Sequence, residues 1–356
     1  MNKLLLTGFL LLISSTALAS KARLESLGQD GQRGSFYIED FRSVFYNPAY
    51  LNLKKNAVIT EWGKASDDQD TAQAPHAEGG ILGDYGSFTF GAYFGSEHDS
   101  HNQYKNDKFL AQDNRLDFFF AGDAGMLWGI RAYYADNIDE TSASGIEKKN
   151  TAYGLGLGAI AGNLESFIDV GLRDNSEGAD ANADKWEGDL ALRLGAVYRV
   201  SSFAFMAEVE NFSFEQTIGS ASDKGEMRQY RLAVAREYSV NKTAKIFADM
   251  SFYYTDYDFT GTSNDDLKGF RLPLNIAFET DLFEWLQARG SFSQTLMSRE
   301  EVDGKKTSVR NSTSVAAGLR YRAGKFNLDG IVGTTSSGDN KGTLGTVSRI
   351  AVEYQF

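Results

Sequence analysis

From about residue 57 to the C-terminus, apolar and polar positions alternate with a period of two, the spacing of a strand whose two faces meet different surroundings. Phe88, Phe90, Ala92 and Phe94 form one face, with Thr89, Gly91 and Tyr93 on the other. Leu190, Leu192, Leu194, Ala196 and Tyr198 alternate with Asp189, Arg193, Gly195 and Arg199. Phe270, Leu272, Leu274, Ile276 and Phe278 alternate with Arg271, Asn275 and Glu279. The last strand places Ile350, Val352, Tyr354 and Phe356 on its apolar face and stops on an aromatic residue. A soluble sandwich also alternates, so the connections decide. Short ones near residues 84–86, 123–125, 162–163, 200–202, 239–243, 281–284 and 323–324 are interleaved with longer polar stretches. The latter cover residues 66–75, 99–112, 137–150, 175–185, 216–226, 260–266, 298–308 and 336–342. Short turns at one end and longer loops at the other describe a bacterial outer-membrane barrel. The expected fold is therefore all-β: a transmembrane antiparallel barrel of about 14–16 strands over residues 57–356. Sixteen is the direct reading, and fourteen applies if the short, glycine-interrupted stretch 57–83 does not form two strands.

Residues 1–19 read as a signal peptide: Lys3, an apolar run over residues 4–13 too short to span a bilayer, and Ala17-Leu18-Ala19 as the cleavage site. Residues 20–56 fit neither leader nor strand. Ile38, Phe41 and Phe45 recur at spacings of three and four, a short helical turn that Pro48 would end. The segment is too apolar for a free tail and is expected to plug the barrel lumen.

Composition agrees. The chain has 36 glycines, 3 prolines, no cysteine and 13 % aromatic residues, which suits many strands with tight turns and interfacial rings. Trp128, Tyr134, Tyr198, Tyr254, Trp285 and Tyr321 are placed to form the interfacial girdles. A net charge of -12 excludes a nucleic-acid partner. Expected partners are outer-membrane lipid and lipopolysaccharide, a small-molecule solute, and the barrel-assembly machinery, for which Tyr354 and Phe356 form the insertion signal. No cofactor, metal or enzymatic activity is expected. His98 and His101 flank Asp99 in a loop and His76 stands apart, without a nucleophile motif. Asp67, Asp68, Asp70, Asp265 and Asp266 lack the ordered spacing of a calcium loop.

If the apolar face meets lipid, the other face lines the lumen. It carries Arg115, Asp117, Arg131, Asp169, Arg173, Asp189, Arg193, Glu208, Glu210, Arg231, Asp249 and Arg271, among other charges. Arg115, Arg131, Arg193 and Arg231 are the lumen candidates, together with Tyr133 and Tyr253, whose rings point inward where a solute could touch them. Such a wall is either a selectivity field for anionic or amphipathic solutes or a structural network of ion pairs, and the sequence admits both. Gly154, Gly156 and Gly158 share the lumen face of one strand, which marks either close approach of the plug or relief of crowding.

Phe45-Tyr46-Asn47-Pro48-Ala49, leading into the first strand, resembles the N-terminal hatch of the FadL-type outer-membrane transporters, with Tyr50 where that family usually has glycine. The resemblance implies passive uptake of hydrophobic small molecules through a fourteen-stranded barrel gated by Phe45, Tyr46, Asn47, Pro48 and Ala49. The short polar loops here do not form the apolar external groove of the fatty-acid transporters. Three functions stay open: a hatch-gated channel for small hydrophobic or amphipathic solutes, an open porin for polar solutes, and a non-conducting barrel that docks a secretion or envelope complex.

Overall fold

The computed structural model describes residues 20–54, 56–63, 77–97, 102–105, 108–139, 147–178, 184–260, 266–302, 304–307, 312–337, 345–346 and 349–356. The leader, the three histidines, and Asp67, Asp68, Asp70 and Asp265 lie outside the described residues.

Period-two patterning becomes strand throughout. The segments are β1 (Ala57–Gly63), β2 (Ala77–Tyr85), β3 (Phe88–Ser96), β4 (Arg115–Asp123), β5 (Leu127–Asp139), β6 (Lys148–Ala161), β7 (Leu164–Glu177), β8 (Asp184–Gly188), β9 (Ala191–Val200), β10 (Phe203–Ile218), β11 (Ala221–Ser239), β12 (Ala244–Thr260), β13 (Leu267–Phe283), β14 (Leu286–Val302), β15 (Lys305–Thr307), β16 (Thr313–Ala323), β17 (Phe326–Ser337), β18 (Gly345–Thr346) and β19 (Arg349–Gln355). β8 and β9 are two parts of one stave between β7 and β10; β15 extends β16, and β18 extends β19. The result is a closed antiparallel barrel of sixteen staves, sealed where β1 pairs with β19 from Ala57↔Gln355 to Gly63↔Arg349. Gly79 and Gly80, the reason for considering fourteen, lie within a continuous β2. A Cβ on Gly79 would stand 2.7 Å from the Ile59 carbonyl oxygen and one on Gly80 2.4 Å from the Tyr93 ring, so the glycines admit close neighbours rather than break the strand.

The exterior is apolar: Ile81, Phe90, Phe94, Phe118, Leu155, Leu194, Phe205, Leu232, Phe278 and Leu319 are exposed, while their strand neighbours are buried inside. A closed ladder leaves no unpaired sheet edge, and this outer surface suits hydrocarbon, so the chain is a multi-pass outer-membrane β-barrel. Tyr354 and Phe356 face outward, and the Phe356 amide donates to the Asn56 carbonyl at 3.1 Å, pinning the end of the chain beside its first strand. Phe283, Trp285 and Tyr321 form an aromatic group at the end that carries the short turns, which is the periplasmic end.

Two expected long loops are tight hairpins instead. β10 and β11 pair to Ile218↔Ala221 around Gly219 (φ 63°), and β14 continues to Val302 before Gly304 (φ 73°). Their polar residues belong to strands that rise past the bilayer: β11 has 19 residues, whereas about 9–11 span the membrane.

Candidate functional site

The inner, periplasmic half of the lumen is filled by the N-terminal segment. It comprises helix α1 (Lys21–Ser26), a loop, the short helix α2 (Ser43–Tyr46) and a 3-10 helix (Pro48–Leu53). Ser20 caps α1 by accepting the Arg23 amide at 3.2 Å. Asn47, extended at φ -142°, ends α2 and caps the 3-10 helix through Oδ1, which accepts the Ala49 amide at 3.0 Å. Pro48 occupies the first position of that helix, where no amide hydrogen is needed.

Each part of the segment meets a different arc of wall. Around α1 the contacts are ionic: the Arg23 guanidinium lies 2.7 Å from Glu279, and Glu279 is 2.9 Å from Arg289. Arg289 reaches Asp329 at 2.5 Å, and Asp329 also holds Arg320 at 2.6 Å. Arg349 pairs with Glu25 at 3.2 Å, and the Lys21 ammonium contacts Glu78. The middle of the segment is held by Arg33 on Glu210 at 3.0 and 3.2 Å. Asp249 accepts from both Gln29 Nε2 (2.9 Å) and the Tyr37 hydroxyl (2.6 Å).

Residues 45–49 are seated against β3–β7. The Phe45 ring stands edge-on between Tyr93 (5.1 Å) and Phe119 (5.2 Å), with the Arg42 guanidinium carbon 4.0 Å from its centroid. Tyr46 packs on Phe167 at 4.5 Å, its hydroxyl contacts Met206 Sδ at 2.9 Å, and its carbonyl accepts from Arg193 at 3.3 Å. Asn47 Nδ2 donates to the Ala159 and Ser166 carbonyls at 3.4 and 3.3 Å. A Cβ on Gly158 would lie 1.9 Å from Asn47 Oδ1, one on Gly129 2.3 Å from the Pro48 carbonyl, and one on Gly156 3.6 Å from Pro48 Cγ. Gly158 and Gly129 therefore admit the segment, whereas the nearest neighbour of a Cβ on Gly156 is Asp169 Oδ2 of the wall at 3.2 Å. Gly154 instead clears the Tyr133 hydroxyl, which its Cβ would approach to 2.3 Å. Ala49 is fully buried.

The lumen candidates fall into two groups. Arg131 lies 2.7 Å from Asp117 and 3.3 Å from Asp169, Arg115 stacks over Tyr133 at 3.7 Å, and Arg193 reaches Glu208 at 3.9 Å as well as the Tyr46 carbonyl. These three belong to the network that supports the segment or the wall. Arg231 and Tyr253 face the lumen at mid-height, half-buried, with Arg231 4.9 Å over the Tyr253 ring.

Arg173 and Asp189 are corrections. β7 slips register between Gly171 and Arg173, and the stave breaks at Asp189–Leu190 between β8 and β9. Each irregularity reverses which alternate residue faces inward. Arg173 and Asp189 are exposed, and Asp174, Ser176 and Trp186 point into the outer lumen instead. There Trp186 stacks on Phe214 (3.9 Å) within a cluster holding Phe212, Met227 and Phe259, capped by Tyr104 and Phe109 from the loop after β3. Lys105 on Asp174 (2.7 Å) and Ser176 Oγ on the Leu110 carbonyl (3.1 Å) hold that loop inward. Burial pushes the Tyr104 hydroxyl up to about 12, so it remains a proton donor. Straight alternation hid this cluster, and a bulge leaves no sequence signal here beyond the polar pair Asp189 and Asn175 on either side.

No group of three or more metal-ligating side chains occurs among the described residues. No protein-family model and no curated protein matches the chain. Solved structures with a similar course include a porin (12 % identity, 84 % of this chain and 99 % of that chain, TM-score 0.40). The CymD monoaromatic hydrocarbon channel is 10 % identical over 93 % and 96 % of the two chains, TM-score 0.44. BamA of Haemophilus ducreyi is 9 % identical over 85 % and 71 %, TM-score 0.44.

Proposed function

We propose that this outer-membrane barrel is a passive channel for small solutes whose lumen is gated by the N-terminal segment, with residues 45–49 as the seat of the hatch. The observation that carries the reading is the position of residues 20–54 inside the barrel, where Leu24, Phe36, Tyr37, Ile38 and Tyr46 pack against Val197, Ala204, Met206, Ala235 and Phe247 of the wall, and Phe41 and Phe45 against Tyr93 and Phe119. Beside Tyr37 a cavity of about 430 Å³ lined by Arg199, Ser201, Ser202, Ala235 and Glu237 opens at the periplasmic end, next to that packing. The likeness of Phe45 to Ala49 to the FadL-type hatch supports the same role, and with it the non-enzymatic reading.

A second reading, a non-conducting barrel that docks an envelope component, draws on the buried ion network around α1, which ties the segment firmly to β13–β19. Single-channel recording in a planar bilayer separates the two, comparing the chain with one lacking residues 20–45. Silence that turns to conduction on truncation is the expected result. Large steady steps from the intact chain indicate an open porin, and silence from both folded proteins supports docking.

A further inference from the structure

Most wall arginines are spoken for. Arg131, Arg193, Arg199, Arg289, Arg320 and Arg349 each have a carboxylate oxygen within ion-pair reach. Arg231 and Arg271 have none among the described residues. They occupy one height on neighbouring staves: Arg231 pairs in register with Tyr253, and Tyr253 with Arg271, so all three side chains share the lumen face of β11, β12 and β13. Both guanidinium carbons stand over the same ring, at 4.9 and 4.6 Å from its centroid. Arg231 donates to Ser251 Oγ at 3.3 Å, but its Nε is buried without an acceptor, and Arg271 is exposed to the lumen.

The surrounding carboxylates are each held by other donors. Glu208 is drawn to Arg193 and Glu210 is gripped by Arg33, while Asp249 accepts from Tyr37, Gln29 and Asn275. Four guanidiniums (Arg33, Arg193, Arg231, Arg271) stand among four carboxylates, Glu208, Glu210, Asp249 and Asp30, the last acting on Arg33. Apolar surface adjoins the cations: the Phe36 ring of the N-terminal segment lies 5.4 Å from the Arg231 guanidinium, and Tyr37 packs against Phe36 at 5.0 Å.

From this arrangement we infer that Arg231, Arg271 and Tyr253 form a mid-lumen binding site for a small organic anion, a carboxylate on a compact apolar body. The inference rests on the channel reading and names the solute class for it. The planar, five-donor guanidinium matches a carboxylate, and Arg271, exposed to the lumen, presents its donors to one while Arg231 adds its charge beside it. The apolar body would lie towards Phe36. Farther down β11 from Arg231, Ala235 and Glu237 line the cavity beside Tyr37. A bound solute therefore touches the part of the segment that borders the periplasmic cavity, which couples occupancy to release.

Saturation-transfer NMR on the refolded full chain in micelles tests the site, with benzoate as the probe and benzamide as its neutral match. The expected result is benzoate binding about ten-fold or more tighter than benzamide. Arg231→Gln with Arg271→Gln should remove that preference, and the double Lys variant, which keeps the charges, should retain part of it. Arg271→Gln alone, at an exposed position, serves if the double Gln variant does not fold. Equal binding of the two probes to the unaltered chain overturns the inference, as does a preference that survives the folded Gln variants. Bilayer recording on the same proteins keeps the two readings apart. A benzoate preference in a barrel silent before and after truncation retains the site and removes the channel; conduction on truncation with no benzoate preference does the reverse.

Discussion

At the periplasmic end of the lumen, Arg289 and Arg320 share Asp329, and Arg23 joins them through Glu279. At mid-height, Arg231 and Arg271 flank Tyr253 without a carboxylate oxygen at ion-pair distance among the described residues. The side chain is the same and its use is opposite. Where the segment enters, every charge is buried, so each must be neutralised by a partner or it would destabilise the fold. Where the lumen side is open, as at Arg271, an arginine can remain exposed without an ion-pair partner. The structural network expected from the sequence accounts for the first level, and a selectivity field at the second belongs to the proposed site.

The comparison predicts different costs for superficially similar substitutions. Asp329→Asn leaves Arg289 and Arg320 sharing less negative charge at a fully buried point, and should destabilise the barrel by about 3–5 kcal/mol. Arg271→Gln, exposed to the lumen, should stay within about 0.5 kcal/mol. The temperature at which the folded band converts to the unfolded one on an SDS gel measures both. Equal shifts for the two variants would erase the distinction drawn between the levels.

Gly129→Val acts on the seat rather than the network. Its Cβ would meet the Pro48 backbone at 2.3 Å, and neither partner is the flexible end of a side chain. Overpacking of this kind costs about 1–3 kcal/mol, and here it is relieved by displacing the segment. The variant barrel should fold, leak in a planar bilayer, and expose residues 20–54 to protease. Asn47→Ala should do the same more weakly, by about 1 kcal/mol, because it removes one cap and the bonds to the Ala159 and Ser166 carbonyls while the Arg193 contact to Tyr46 remains. A leak from Asn47→Ala exceeding that from Gly129→Val would place the main hold elsewhere.

The fold was largely legible because lipid and water impose a strict period of two. Phe88 to Phe94 and Phe270 to Phe278 could be assigned to faces directly, and Arg115, Arg131, Arg193, Arg231 and Tyr253 all lie on the lumen side. Alternation fails after one inserted residue, which is why Arg173 and Asp189 were misplaced and Trp186 was missed. Loop lengths failed for a related reason: polar stretches such as 216–226 read as loops, yet they are strand standing clear of the bilayer, where neither face needs to be apolar. A short helix before Pro48 was expected from Ile38, Phe41 and Phe45, but α2 covers only Ser43–Tyr46 and Pro48 opens the next helix, whereas α1, six residues capped by Ser20, has too short an apolar pattern to register. Which arginines keep a carboxylate depends on contacts between distant strands and is absent from any local pattern.

A pH dependence of seating is also expected. Asp40 is fully buried in the segment, where its Oδ1 accepts the Ser43 amide at 3.0 Å and Arg23, Lys54 and Arg42 are its nearby cations. Burial outweighs their attraction and pushes its carboxyl up to about 7 from an ordinary value of 3.8. The seated form therefore holds more protons than the free segment between those two values, so seating weakens as pH rises through that window and is strongest below it. Leak conductance should accordingly increase from pH 5 to pH 8, most steeply near 7. Asp40→Asn keeps an oxygen for the Ser43 amide without the buried charge, so its leak should stay at the low-pH level throughout. A pH profile unchanged in that variant would assign the dependence to some group other than Asp40.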